Sequence, residues 1–200
     1  RHLEMLHEQG FNSIRVFLTY QSFHVEPGRV HPEGEAKFRQ LLRMCREFGI
    51  YAMPTGPDHW EGTPPWRKGD RFADETLLTA DEAWWKDFAG RFKDEPALWA
   101  YDLYNEPMIG WDSPGMKAKW NDWLKRRYGP APDRPPSVGQ GLVEKIAEAG
   151  KRPVDQVGRA GEIPVPPPQA ARNDGRLYDY QRFREHIADE WTRRMAEAIV

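Results

Sequence analysis

Three short apolar runs, each preceded by a helical segment and followed by a polar or aromatic stretch, constrain this chain more than anything else in it. Phe11 to Leu18 alternates, with Ile14, Val16 and Leu18 facing one way and Arg15 and Phe17 the other, which is the period of a strand. Ile50 to Thr55 reads as a second strand, and Ala97 to Tyr104 as a third that runs into Asn105-Glu106-Pro107. The helices between them are equally legible. His2 to Gln9 places Leu3 and Leu6 on one face and stops at Gly10. Pro32 suits a first helical position, and Phe38, Leu41, Leu42, Cys45 and Phe48 form a stripe that ends at Gly49. A further helix is expected to start near the capping-box pattern Thr79-x-x-Glu82, with Trp84, Trp85, Phe88 and Phe92 as its apolar face. Such alternation argues for a parallel sheet or a (β/α) barrel. The long polar and aromatic loops follow the strands, and in a (β/α) barrel the chemistry sits on those loops.

The regularity breaks after Glu106. Met116 to Tyr128 is expected to be helical, with Trp120, Trp123 and Leu124 on one side, and Tyr178 to Val200 a long helix carrying Phe183, Ile187, Trp191, Met195 and Ile199. Between them, 129–175 holds half of the 18 prolines, including Pro166-Pro167-Pro168, and reads as an insertion with a helical turn or two around Leu142 to Ala149. Three strands fall short of the eight strands and about 250 residues of a full barrel. The expected architecture is therefore α/β, part of a single barrel domain over 1–200, with the Pro/Gly-rich insertion inside it. One sheet edge and an apolar face are expected to stay open.

Composition removes several function classes. The 200 residues are 39% hydrophobic and 30% charged, which suits a packed core rather than a disordered chain. With 29 basic against 31 acidic residues there is no electrostatic footprint for nucleic acid or an anionic membrane. No apolar run approaches the length of about 18 residues that a membrane span requires. Cys45 is the single cysteine, which excludes an internal disulfide and a Cys-rich zinc site.

The sharpest chemical feature is Leu103-Tyr104-Asn105-Glu106-Pro107 at a strand end. A carboxylic acid there faces the cleft, and glycoside hydrolysis needs one acid to protonate the leaving oxygen. An Asn beside it can hydrogen-bond a sugar hydroxyl. The same residues also serve as plain turn chemistry, so the tripeptide alone leaves both readings open. Arg15 interrupts an apolar alternation, which fits a site residue or a surface ion pair. Trp60, Trp66, Trp111 and Tyr20 lie on loops after strands, where aromatic faces can stack on sugar rings. Trp84, Trp85, Trp120, Trp123 and Trp191 lie on helical stripes and read as core. Asp58 and Glu61 flank His59 and suit an ion-pair cluster or a metal site; Glu26, Glu33 and Lys125-Arg126-Arg127 read as solvated surface.

Taken in order, these motifs resemble glycoside hydrolase clan A, whose members include the cellulase-like family 5 enzymes. Gly10-Phe11-Asn12-Ser13-Ile14-Arg15-Val16 resembles the second barrel strand of that clan, Asp58-His59-Trp60 the end of the third, and Trp99 to Pro107 the fourth. Trp123 to Gly129 is similar to an insertion seen in some cellulase-like and β-galactosidase-like members. The resemblance covers residues 1 to 128, and 176 to 200 as a barrel helix. It implies a partial (β/α)8 barrel, about strands 2 to 4 with their helices. Glu106 would be the general acid/base of a retaining double displacement and Asn105 the ligand of the hydroxyl next to the anomeric carbon. Arg15 would hold the nucleophile ionised and oriented, and His59 would touch the sugar at the point of cleavage. The family's nucleophile is a Glu on the seventh strand, which is expected to lie outside these residues, so the isolated chain is expected to be inactive.

The leading expectation is a retaining hydrolase of a β-linked glucan, mannan or galactoside, with a carbohydrate partner and no metal or other cofactor. Two alternatives stand beside it: a metal-dependent barrel such as a sugar isomerase, using His59, Asp58 and Glu106 as ligands, and a truncated, non-catalytic carbohydrate-binding remnant. Secretion, or a periplasmic location, is the expectation for a polysaccharide hydrolase. The sequence opens at Arg1, so the compartment is not read from these residues.

Overall fold

The computed structural model of the chain describes residues 1–128, 162–169 and 175–200. Their elements run α1 (His2–Glu8), β1 (Ser13–Thr19), α2 (Tyr20–Phe23), α3 (Pro32–Glu47), β2 (Tyr51–Asp58), α4 (Glu75–Phe92), α5 (Pro114–Tyr128) and α6 (Gly175–Ile199). They divide into two units, one of Arg1–Lys68, Thr76–Met108 and Trp191–Val200, the other of Gly69–Glu75 and Ile109–Glu190.

In the first unit β1 and β2 pair in parallel, Ser13 opposite Tyr51 and Phe17 opposite Thr55. Parallel neighbours need a crossover, and α3 supplies it. Pro32 opens that helix, Glu33 and Glu35 lie in its first turn, and Gly49 follows its end at φ 63°, a conformation a side chain would resist. Phe38, Leu42 and Cys45 of α3 are buried with Trp84, Trp85, Phe88 and Phe92 of α4. The rings interlock: Phe38 meets Phe92 edge-on at 5.0 Å between centroids, and Trp84 stacks on Phe88 at 4.9 Å. Leu18, Ala52 and Ile50 close the same core. On the other face Phe17, Tyr51 and Trp99 stay exposed.

Three expectations are corrected here. Ala97 to Tyr104 is not a regular strand; it lies parallel to β2 through two isolated bridges, Ala52 with Leu98 and Thr55 with Asp102. The cause is Pro54, which has no N–H to donate. Ala52 N–H bonds Ala97 O at 2.7 Å, then the ladder resumes with Asp102 N–H to Pro54 O at 3.0 Å and Gly56 N–H to Asp102 O at 2.8 Å, displaced by one residue. Gly56 permits this approach, since a Cβ there would stand 2.4 Å from Leu103 O and 2.6 Å from the Trp85 ring. Second, α4 begins at Glu75, four residues before Thr79, because buried Leu77 and Leu78 extend its apolar face past the capping-box pattern. Third, the Thr19 to His31 segment, read as a loop, opens with the helical turn α2, which buries Tyr20 and Phe23.

The second unit packs α5 against the first part of α6 around an aromatic cluster. Trp120 stacks on Trp123 at 5.6 Å and meets Tyr180 edge-on at 5.0 Å, with Phe183 beside them. Residues 162–167 lack regular secondary structure and end in a turn at 168–169; they are pinned where the Asn121 side chain accepts from Ile163 N–H at 2.9 Å and donates to Ile163 O at 3.2 Å. The rest of the expected 129–175 insertion, including the helical turn around Leu142 to Ala149, lies outside the described residues. Among the described residues no helix is long and apolar enough to cross a membrane.

Candidate active site

The carboxyl ends of β1, β2 and the 97–102 segment converge on one polar network in the first unit. Arg15 Nε donates to Asp102 Oδ2 at 2.8 Å and to Thr55 Oγ1 at 2.9 Å. Its Nη2 stands 2.6 Å from Asp102 Oδ2 and donates to Asn105 Oδ1 at 3.0 Å. The Thr55 hydroxyl, fully buried, passes its own proton to Asp102 Oδ2 at 3.0 Å. Arg15 and Thr55 lie on the same face of neighbouring strands through the Phe17–Thr55 register, so strand pairing alone brings them together. Because Arg15 occupies the carbonyl oxygen of Asn105, that side chain is left to offer its NH2 group as a donor.

Glu106, next along, is the one non-glycine residue among those described with positive φ, at 47°. It precedes Pro107, which disfavours helical conformations in its neighbour. A left-handed L-residue costs on the order of 1–2 kcal/mol, and such outliers cluster at functional sites. The side chain is exposed, and no hydrogen bond or ion pair to it occurs among the described residues.

β2 ends in a second cluster. Asp58 is buried, and its Oδ1 accepts the backbone N–H of His59 at 2.6 Å and the Tyr104 hydroxyl at 3.2 Å, with His59 Nδ1 standing 2.6 Å away. The His59 ring itself is exposed, at the end of β2. The turn His59-Trp60-Glu61-Gly62 follows, closed by Gly62 N–H to His59 O at 2.7 Å. Trp60, 63% exposed, stacks on His59 at 5.2 Å between ring centres. Glu61 Oε2 is held by the Thr19 hydroxyl and, at 3.1 Å, by that of Ser22. These bonds, the one from Thr19 foremost, lower the Glu61 carboxyl below its ordinary value.

The remaining aromatic candidates sit elsewhere. Tyr20 is buried, with the Arg67 guanidinium 4.3 Å over its ring. Trp66 is half-buried, its indole N–H on Val25 O at 2.7 Å and its ring against His24 at 5.1 Å. Trp111 belongs to the second unit, where it donates to Pro166 O at 2.8 Å and borders a cavity of about 540 Å³ with Asn121, Lys117 and Glu162. Sequence reasoning assigned no role to Asp102 or Thr55. Their signal was available, because Asp102 interrupts the third apolar run as Arg15 interrupts the first, with opposite charge. Among the described residues no three His, Cys, Asp or Glu side chains converge as metal ligands would, so His59, Asp58 and Glu106 do not form such a group.

Two solved β-galactosidase structures share the fold of the chain. The chain aligns over its full length with the cold-adapted β-galactosidase of Rahnella sp. R3, at a TM-score of 0.73 and 18% identity, covering 31% of that chain. The β-galactosidase of Bacillus circulans sp. alkalophilus aligns over 98% of this chain and 31% of its own, at 0.71 and 14%. A GH5_18 structure from Bifidobacterium longum subsp. infantis aligns over 52% of this chain and 27% of its own, at 0.47 and 20%. The chain thus spans about a quarter to a third of the length of these structures. No curated protein matches it. The family model described as cellulase (glycosyl hydrolase family 5) matches residues 2–128, well over half of the chain. The chain that carries Arg15, His59 and Asn105-Glu106-Pro107 belongs to the cellulase family, glycosyl hydrolase family 5.

Proposed function

We propose that this chain supplies the acid/base part of the active site of a retaining β-glycoside hydrolase, with Glu106 as the general acid/base. The observation that carries the reading is the backbone of Glu106. Glu106 adopts a left-handed backbone and is exposed at the end of the third parallel segment, next to an Asn105 held by Arg15. In the first step Glu106 protonates the glycosidic oxygen as that bond breaks; in the second it takes a proton from the attacking water. Asn105 donates its NH2 to the neighbouring hydroxyl, and the His59 and Trp60 rings contact the sugar. The nucleophile is a second carboxylate about 5 Å away, and no described residue is assigned that role.

The parallel order of β1, β2 and 97–102, with α3 and α4 as crossovers, supports a place for these elements as strands 2 to 4 of a (β/α)8 barrel within one catalytic domain. The substrate class is a β-linked glucan, mannan or galactoside, which favours action outside the cytoplasm. Trp66 and Tyr20 shape binding indirectly in this reading, through the segments they anchor in the same unit.

The test is hydrolysis of β-linked oligosaccharides by the product of the full open reading frame that encodes this chain. Glu106→Gln is expected to lower turnover by roughly 10²–10⁴-fold, the usual worth of a positioned general acid. Turnover retained by Glu106→Gln would overturn the proposal.

A further inference from the structure

The reading of Asn105 as a sugar ligand leaves open what holds it ready, and the Arg15 network answers that. An Asn side chain on its own rotates between offering its oxygen and offering its NH2, so a donor must be made rather than assumed. Arg15 Nη2 fixes the oxygen at 3.0 Å. Arg15 in turn is not fixed by burial, since its side chain is 39% exposed. What fixes it is Asp102, whose Oδ2 accepts from Nε at 2.8 Å and from the Thr55 hydroxyl at 3.0 Å and stands 2.6 Å from Nη2. The guanidinium is planar, so once Nε and Nη2 share one carboxylate oxygen its plane is set. With the guanidinium held so, Nη2 donates to Asn105 Oδ1.

We infer that Asp102 is the positioning residue of this site: through Arg15 it sets the orientation in which Asn105 presents its NH2 to a sugar hydroxyl. The inference rests on the proposed function only for the identity of the ligand. Asp102 touches no substrate itself, and its effect passes through Asn105. The register slip at Pro54 belongs to the same device. It places Asp102 opposite Thr55, with its N–H on Pro54 O and its carbonyl on Gly56 N–H, so the backbone of Asp102 is held on both sides.

Two measurements separate this role from plain structural support. The first needs no ligand. In NMR spectra of the 200-residue chain, Asp102→Asn should speed solvent exchange of the Arg15 Nε–H by at least roughly tenfold and shift the Asn105 side-chain NH2 resonances. Thr55→Val should shift them less. Unchanged Arg15 and Asn105 signals in Asp102→Asn would overturn the inference. The second is a double-mutant cycle on cellotetraose affinity, with Asp102→Asn, Asn105→Ala and both together. Asp102→Asn should weaken binding roughly tenfold, as expected for loss of a charge-assisted hydrogen bond. In the Asn105→Ala background it should add nothing. Additive losses would show Asp102 to be mere support and overturn the inference. The cycle is run in the product of the full open reading frame; if cellotetraose and the corresponding β-mannan and β-galactan oligosaccharides all fail to bind that unmutated protein, the proposed function fails, and the ligand-free spectra still decide the role of Asp102.

Discussion

At Glu106 two demands on one residue conflict, and the conflict is measurable. Under the proposed function the acid must be a Glu, while φ of 47° in front of Pro107 is a conformation a glycine would adopt without cost. Glu106→Gly is therefore expected to stabilise the fold by up to about 1 kcal/mol, the left-handed penalty less the entropy that glycine adds to the unfolded chain. The same change is expected to abolish catalysis. Thermal unfolding of the two proteins checks the first half; a lower midpoint for the glycine variant would contradict it. The residues of this site were unevenly legible. Asn105-Glu106-Pro107 stood out because three uncommon choices sit in a row at a strand end. Asp102 and Thr55 did not, because their partner Arg15 lies 87 and 40 positions away and only the strand register joins them. Tyr20 misled for a related reason. Its segment is polar overall, and only tertiary packing shows that the ring is covered by Arg67.

The elements are held to one another by charges as much as by rings. Glu61 ties the turn after β2 to Thr19 at the end of β1 and Ser22 in α2. Its carboxyl is held below the ordinary 4.5, so the folded state favours the ionised form. The stabilisation is fully present above the unfolded-state value and is lost as pH falls through the lower, folded-state value. Glu61→Gln should thus lower the unfolding midpoint at pH 7 and leave it unchanged at pH 2. Equal losses at both pH values would contradict this. A second tie is the buried pair of Arg67 and Asp81, joined by two bonds of 2.6 Å, which fastens the loop before α4 to the helix. Removing one partner strands the other: Asp81→Leu is expected to cost about 3–5 kcal/mol, and Arg67→Met with Asp81→Leu less than Asp81→Leu alone. Denaturant unfolding of the two variants decides it. The helices were readable because each carries a continuous apolar stripe. The third strand was not, since its irregularity comes from Pro54 on its neighbour rather than from its own sequence.

For the whole molecule, membership of glycosyl hydrolase family 5 and the likeness to the two β-galactosidases agree on the fold, while the chain spans only about a third of those two structures. Phe17 and Tyr51 are exposed on the same face of the sheet that carries Arg15 and Thr55. The central claim is narrower than the fold: Glu106 is the acid/base of a retaining hydrolase. Its most direct test is azide rescue of Glu106→Ala, made in the product of the full open reading frame and assayed on an aryl β-glycoside with a good leaving group. Glycosylation of the enzyme then needs no acid, and azide replaces the water that Glu106 would activate. The account predicts that azide restores turnover and yields the β-glycosyl azide. A variant that azide leaves unrescued, or a product of inverted configuration, would contradict it.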